Sequence, residues 1–201
     1  MTPELGVLLQ SARAGEGAAL GRLLEPYRNY LTLLARLQDG RRLQGKVDAS
    51  DLVQETFMEA HRDFARFRGT TEGELMAWLR QILATNLADE VRRYQGTRRR
   101  SVRLERDLAV QLDQSSQALD RGLVDRSASP SERAARRERA VLLADALEQL
   151  PPAYREVLIL RHLEELRFPE VARRMGRTLD SVKNLWVRAL AQVRDLLGEA
   201  P

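Results

Sequence analysis

Three carboxylates, Asp51, Glu55 and Glu59, recur at i, i+4 and i+8, and so fall on one face of a helix. Carboxylates in a row can hold a metal, dock on a basic surface, or simply face water. The metal reading is weak. One stretch supplies all three acids, whereas a helical-bundle site needs Glu-x-x-His pairs from several helices. His61 follows Glu59 by two residues, which is the wrong spacing. The chain has no Cys and only two His, His61 and His162, so disulfides, Cys-ligated zinc, a thiol nucleophile and a His-rich metal site are excluded. No cofactor is expected. The docking and solvated readings both stay open, with Gln54 and Met58 beside the acids.

A second constellation is cationic. Of 33 basic residues only Lys46 and Lys183 are Lys, and the rest are Arg. Arg makes forked contacts to phosphate and guanine, although a GC-rich genome produces the same bias. Placement is more telling than the total. Segment 92–106 carries seven Arg against one Glu, while segment 48–63 carries five acids against one Arg. Charge segregated this way suits a small protein with two different partners. Asn86, Asp89, Arg92 and Arg93 follow one another at helical spacing and lead into Arg98, Arg99 and Arg100, a pattern fit for phosphate contact.

The third constellation is 168–187, FPEVARRMGRTLDSVKNLWV. Ala172, Gly176 and Val182 have the spacing of a helix-turn-helix. The small residue lets two helices approach, the Gly permits a positive φ, and the branched residue fills the angle. Thr178 is placed to cap the second helix. That helix would expose Asp180, Ser181, Lys183, Asn184 and Arg188, while Val182, Leu185 or Trp186, and Ala189 pack inward. Arg177 and Lys183 are spaced to meet phosphates, and Ser181, Asn184 and Arg188 to meet base edges. Segment 167–194 has seven basic residues against two acids, which favours DNA over an ordinary helical hairpin.

The elements that must position these residues are helical. Sustained alternation is absent, and aromatic content is only 5%. Amphipathic stretches cover Leu5–Ala14 and Ala18–Leu37, and 38–47 is expected as a loop. Ser50 is expected to cap a helix from Asp51 to about Arg66, whose stripe is Val53, Phe57, Ala60, Phe64 and Phe67. A helix from about Glu74 to Tyr94 carries Leu75, Trp78, Leu79, Ile82 and Leu83 on its apolar side. Residues 101–131 lose periodicity and are rich in Ser, Asp and Gln, so a flexible linker, with room for a short helix, is expected. Helix returns over about 131–150, 154–163, 169–175 and 179–197.

The 201 residues allow one large domain or two small ones, at about 100–200 residues per domain. The expectation is an all-α protein with domains at 1–100 and 132–201. Its net charge is +4, and its longest apolar runs are five residues, far short of a membrane span. The opening MTPELGVLLQ lacks a basic n-region and a long apolar run, so no signal peptide and a cytoplasmic location are expected.

With both ends in view, the chain resembles the ECF-type sigma factors of bacterial RNA polymerase over about 20–100 and 135–197. Asp51-Leu-Val-Gln54-Glu55-Thr-Phe57 is similar to the family's core-polymerase-binding motif. Trp78-Leu-x-x-Ile-x-x-x-Asn86-x-x-x-Asp89-x-x-Arg92 is similar to its −10 helix, and Leu150-Pro-x-x-x-Arg155-x-Val157 with the helix-turn-helix to its −35 domain. Departures are the long linker and Leu185 and Leu190, where the family often has Arg. The resemblance implies that Asp51, Gln54, Glu55 and Met58 bind the polymerase core. It also implies that Arg68, Thr70 and Thr71 lie in a loop, Arg68–Gly73, that receives a flipped −10 base. With them, Asn86, Asp89, Arg92, Arg93, Arg98 and Arg99 would face −10 DNA. Arg177, Thr178, Ser181, Lys183, Asn184 and Arg188 would face −35 DNA. The implied partners are core polymerase at its clamp and flap, promoter DNA, and an anti-sigma factor as a further class. No membrane insertion and no catalytic residues are implied. The alternative is a stand-alone helix-turn-helix regulator, which would need a dimer to read two half-sites and leaves the acidic face unused.

Overall fold

The computed structural model describes residues 3–42, 48–95, 102–120 and 132–198. Among them every regular element is helical. The N-terminal part comprises α1 (Pro3–Arg13), α2 (Gly17–Leu24), a 3₁₀ turn at Glu25–Tyr27, α3 (Arg28–Arg42), α4 (Ala49–Asp63), a 3₁₀ turn at Phe64–Arg66 and α5 (Glu72–Gln95). Then come α6 (Val102–Asp120), α7 (Glu132–Gln149), α8 (Pro152–Leu158), a π turn at Ile159–Leu163, α9 (Phe168–Met175) and α10 (Leu179–Gly198). No described helix is long and apolar enough to cross a membrane.

The expected stripe on α4 is buried throughout: Val53, Phe57 and Ala60, continued by Phe64 and Phe67. It packs on α3 and α5, where Tyr30, Leu31, Leu34, Leu75, Leu79 and Leu83 are also enclosed. Two local readings are corrected. The cap of α4 is Asp48, not Ser50. Its Oδ1 accepts hydrogen bonds from the Ser50 backbone N–H and from Ser50 Oγ, both at 2.8 Å. Asp48 has extended backbone angles and leaves Ser50 inside the first turn. The loop expected over 38–47 begins later, because α3 continues to Arg42. Leu37 and Gln38 are buried and carry the helix past the polar QDG run. Residues 43–47 lie outside the described residues.

The largest difference is in the stretch expected as a linker. Val102–Asp120 is a 19-residue helix, with Leu108, Leu112 and Leu119 fully buried. Residues 121–131 lie outside the described residues. The helix packs on α5, α3 and α7. Polar contacts fix its register. Tyr30 Oη donates to Ser116 Oγ at 2.7 Å, and Arg80 donates to Tyr30 Oη at 2.9 Å and to Asp113 Oδ1 at 2.7 Å. In turn α7 lies on α3, where Asn29 Nδ2 donates to Asp145 Oδ1 at 2.8 Å and Arg36 pairs with Glu148 at 2.7 Å.

A leucine enclosed on α6 contributes to the common core. Leu112→Ala should therefore destabilise the chain by about 2–5 kcal/mol in denaturant unfolding, and limited proteolysis should spare Val102–Asp120 in the wild type while cutting there in the variant. An unchanged unfolding midpoint would show that α6 does not dock.

Candidate nucleic-acid interface

The exposed side of α4 is the acidic face. Asp51, Gln54 and Glu55 point to solvent, and Met58 is 66% exposed beside them. Glu59 is half-buried and pairs with Arg62 at 3.2 Å, so it contributes less free charge. The opposite side is locked. Thr56 is fully buried, and its Oγ1 donates to the Leu52 carbonyl at 2.7 Å. A rigid helix thus presents two carboxylates, an amide and a polarizable thioether at fixed spacing, a suitable surface for a partner with cationic and apolar groups.

Beyond α4 the chain turns through Arg68–Thr71 into α5. Phe64, Phe67 and Trp78 form a ring cluster beneath this turn, with Phe67 stacked on Trp78 at 4.8 Å between centroids and Phe64 edge-on to Trp78 at 6.1 Å. Gly69 lies flat on it. A Cβ at that position would come within 2.3 Å of Phe67 Cζ and 2.8 Å of Glu74 Cβ, so no larger residue fits without rearrangement. Glu74 Oε2 accepts from the backbone N–H groups of Thr70 and Thr71 and from Thr71 Oγ1, each at 2.9 Å. These bonds, led by the Thr70 amide, hold the Glu74 carboxyl below its usual range. Arg68, Thr70 and Thr71 remain exposed at the surface of this fixed turn.

Along α5 the expected row divides. Asp89 and Arg93 are exposed, and Arg93 pairs with Glu90 at 2.7 Å. Arg92 is only 16% exposed in its side chain and is shared between Asp89 and, at 3.2 Å, Glu105 of α6. Asn86 is corrected: it is 3% exposed, and its Nδ2 donates to Thr56 Oγ1 at 3.2 Å. It joins α5 to α4 from inside the core and touches no solvent-facing surface. Arg98 and Arg99 lie outside the described residues.

The C-terminal motif has the expected joint. Gly176 adopts φ 62° and ψ 34° and ends α9, with the Arg177 N–H donating to the Ala172 carbonyl at 3.0 Å. Ala172 and Val182 are both buried where α9 packs on α10. Thr178 Oγ1 accepts from the Ser181 N–H at 3.2 Å and caps α10. Arg177, Thr178, Lys183, Asn184 and Arg188 are exposed, and Ser181 is half-buried. Trp186 faces inward. Its Nε1 donates to His162 Nε2 at 2.9 Å, and Phe168 meets it edge-on at 5.4 Å. Upstream, Arg155 donates to the carbonyls of Leu147, Glu148 and Leu150 at 2.9, 2.6 and 3.3 Å, closing the end of α7. Sequence reasoning found Arg155 only as a motif position. It missed the roles of Thr56 and Tyr30, whose partners include residues on other helices, and that of Glu74, whose Thr71-x-x-Glu74 spacing is a capping-box signal.

Two family models match this chain: sigma-70 region 2 over residues 26–97 and sigma-70 region 4 over residues 140–193. The ECF RNA polymerase sigma factor BldN of Streptomyces coelicolor is 31% identical, over 96% of this chain and 65% of its own length. The ECF RNA polymerase sigma factor SigG of Mycobacterium tuberculosis is 33% identical, over 88% of this chain and 48% of its own. The RNA polymerase sigma-E factor of Streptomyces avermitilis is 32% identical, over 81% of this chain and 79% of its own. The chain therefore spans about half to two thirds of the length of BldN and SigG. A solved chain from an RsbN–BldN complex is 26% identical, with 94% and 98% of the two chains covered and a TM-score of 0.32.

The Trp186–His162 bond carries a pH dependence. An imidazole that accepts at Nε2 must be neutral there, and burial, aided by nearby Arg161, pushes the His162 pKa below 6.5. The unfolded chain then binds the proton more readily, so this contribution to stability is complete above about pH 6.5 and is lost as pH falls through the lower folded-state value. Denaturant midpoints followed by tryptophan emission should fall across that window, and His162→Phe should remove the part due to this site. An identical pH profile in His162→Phe would assign the dependence elsewhere.

Proposed function

The chain belongs to the sigma-70 family, among its ECF RNA polymerase sigma factors, and on that premise we propose that it binds core polymerase and directs initiation at promoters bearing −10 and −35 elements. One observation carries the reading: the exposed Asp51–Gln54–Glu55–Met58 face and the exposed Arg68–Thr71 turn stand on one rigid pair of helices, in a chain that also holds a helix-turn-helix. A stand-alone regulator has no use for that face. In this reading the α4 face docks on the polymerase clamp and the helix-turn-helix unit sits at the flap. Arg68, Thr70 and Thr71 meet the unpaired −10 strand, with Asp89, Arg92, Arg93, Arg98 and Arg99 along the adjoining DNA. Asn86 acts from within, holding α5 to α4. Arg177, Thr178, Ser181, Lys183, Asn184 and Arg188 serve the −35 element. The protein is a non-enzymatic factor, works in the cytoplasm where polymerase and promoter DNA are, inserts into no membrane, and offers an anti-sigma factor the same surfaces.

The test is transcription with sigma-free core and a promoter library. Specific start sites should appear with the wild type, and Asp51→Ala with Glu55→Ala should weaken core binding by about 1 kcal/mol each. Stability should change by about 0.5 kcal/mol or less, since both side chains are exposed. Absence of specific transcripts would overturn the reading, and unchanged core affinity in the double variant would remove the α4 face from it.

Division of labour on α10 gives a second test. Lys183→Ala should lower affinity for all −35 sequences and reduce the salt dependence by about one counterion. Asn184→Ala or Arg188→Ala should cost about 1–3 kcal/mol on the preferred element and little elsewhere. Binding selection on a randomised −35 element, at two salt concentrations with holoenzyme, separates the two. Identical preference and salt slope in all three variants would show that this helix is not the reader.

A further inference from the structure

The turn that meets the unpaired strand in the proposed function is held from three sides, and one of the three comes from outside the region-2 match. Beneath it lies the Phe67 ring, pressed against Gly69. On the amide side, Glu74 takes the N–H groups of Thr70 and Thr71. On the carbonyl side, Arg13 Nη2 donates to Gly69 O at 2.6 Å across 56 residues of chain. Arg13 is the last residue of α1, and both α1 and α2 precede residue 26, where the region-2 match begins. The hairpin is anchored independently, since Leu5, Leu9, Ala12, Leu20 and Leu23 all enter the core. Its end is therefore a fixed point from which Arg13 reaches a fixed carbonyl.

From this geometry we propose that Arg13 is a positioning residue for base capture: the N-terminal hairpin braces the Arg68–Thr71 turn in the shape that receives an unstacked −10 base. The inference rests on the reading of that turn given above. A base leaves the stack only at a cost of a few kcal/mol, and a turn that must first be ordered adds to that cost. A brace that pre-sets the turn lowers it without touching the base. The bond is charge-assisted and exposed, so its loss should weaken binding by about two- to tenfold.

The experiment uses holoenzyme formed from the full chain and core, with fork-junction DNAs whose single-stranded −10 bases are replaced one at a time by an abasic site. The wild type should lose affinity most at one position, the captured base. Arg13→Ala should bind the intact fork about two- to tenfold more weakly yet bind the fork abasic at that position as the wild type does. Arg13→Lys, which can still donate to the carbonyl, should recover most of the loss. Equal penalties on intact and abasic forks would overturn the brace alone and mark Arg13 as a phosphate contact or a general structural residue. Arg13→Ala binding every fork like the wild type would overturn the brace as well. A wild type indifferent to every abasic position would overturn the capture turn itself, and the brace with it.

Discussion

The arrangement depends most on the closeness of Gly69 to the Phe64–Phe67–Trp78 cluster. With a Cβ at 69 lying 2.3 Å from Phe67 Cζ, backbone and ring cannot both keep their places unless the residue is Gly. That contact sets the path from α4 into α5. It decides where the Thr70 and Thr71 amides point, and so whether Glu74 can collect them. Phe67 stacks on Trp78, so the turn, the end of α4 and the first turns of α5 move as one piece. The acidic face and the turn are two surfaces of that piece.

Buried polar bonds refine what the apolar packing begins. The chain Leu52 carbonyl–Thr56–Asn86 joins α4 to α5 inside the core. The chain Ser116–Tyr30–Arg80–Asp113 joins α6, α3 and α5. Apolar burial is tolerant of small slips, whereas an enclosed polar atom left without its partner costs about 1–3 kcal/mol. These chains therefore specify register more than they add stability. The Tyr30 chain carries an extra demand, because it fixes α6 on the body that bears the Arg68–Thr71 turn.

Much of this was legible along the chain where the interaction is local. The Val53–Phe57–Ala60–Phe64–Phe67 stripe and the Ala172–Gly176–Val182 joint both depend on spacing within one or two helices, and both stand as read. Most of what escaped depends on partners far apart. Helix α6 has Leu104, Leu108, Leu112 and Leu119 at helical spacing, but Ser115 and Ser116 fill the turn where Tyr30 approaches, so the stripe looks broken and polar. Asn86 reads as a surface residue because nothing nearby announces that Thr56 waits 30 positions upstream. Asp48 and Ser50 are both good caps by type, and only the extended backbone at Asp48 chooses between them. The bond from Arg13 to Gly69 joins an exposed Arg to a carbonyl, a pairing without any side-chain signature.

The cations of α5 show how geometry edits a charge count. Segment 92–106 is strongly basic in sequence, yet Arg92 is already shared between Asp89 and Glu105, and Arg93 is engaged by Glu90. A phosphate approaching Arg93, which is 75% exposed in its side chain, competes with one carboxylate, Glu90 of the same helix, whose side chain is only 11% exposed. At Arg92 the same phosphate competes with two carboxylates around a side chain largely withdrawn from water, one of them on α6. That pair joins Arg92 to a carboxylate that is itself nearly enclosed, at 10% side-chain exposure. Phosphate contact at Arg92 is therefore coupled to the seating of α6, whereas contact at Arg93 is not. Among the described residues, Arg93 is an exposed cation at the edge of α5, and Arg92 is a structural joint along its inner side.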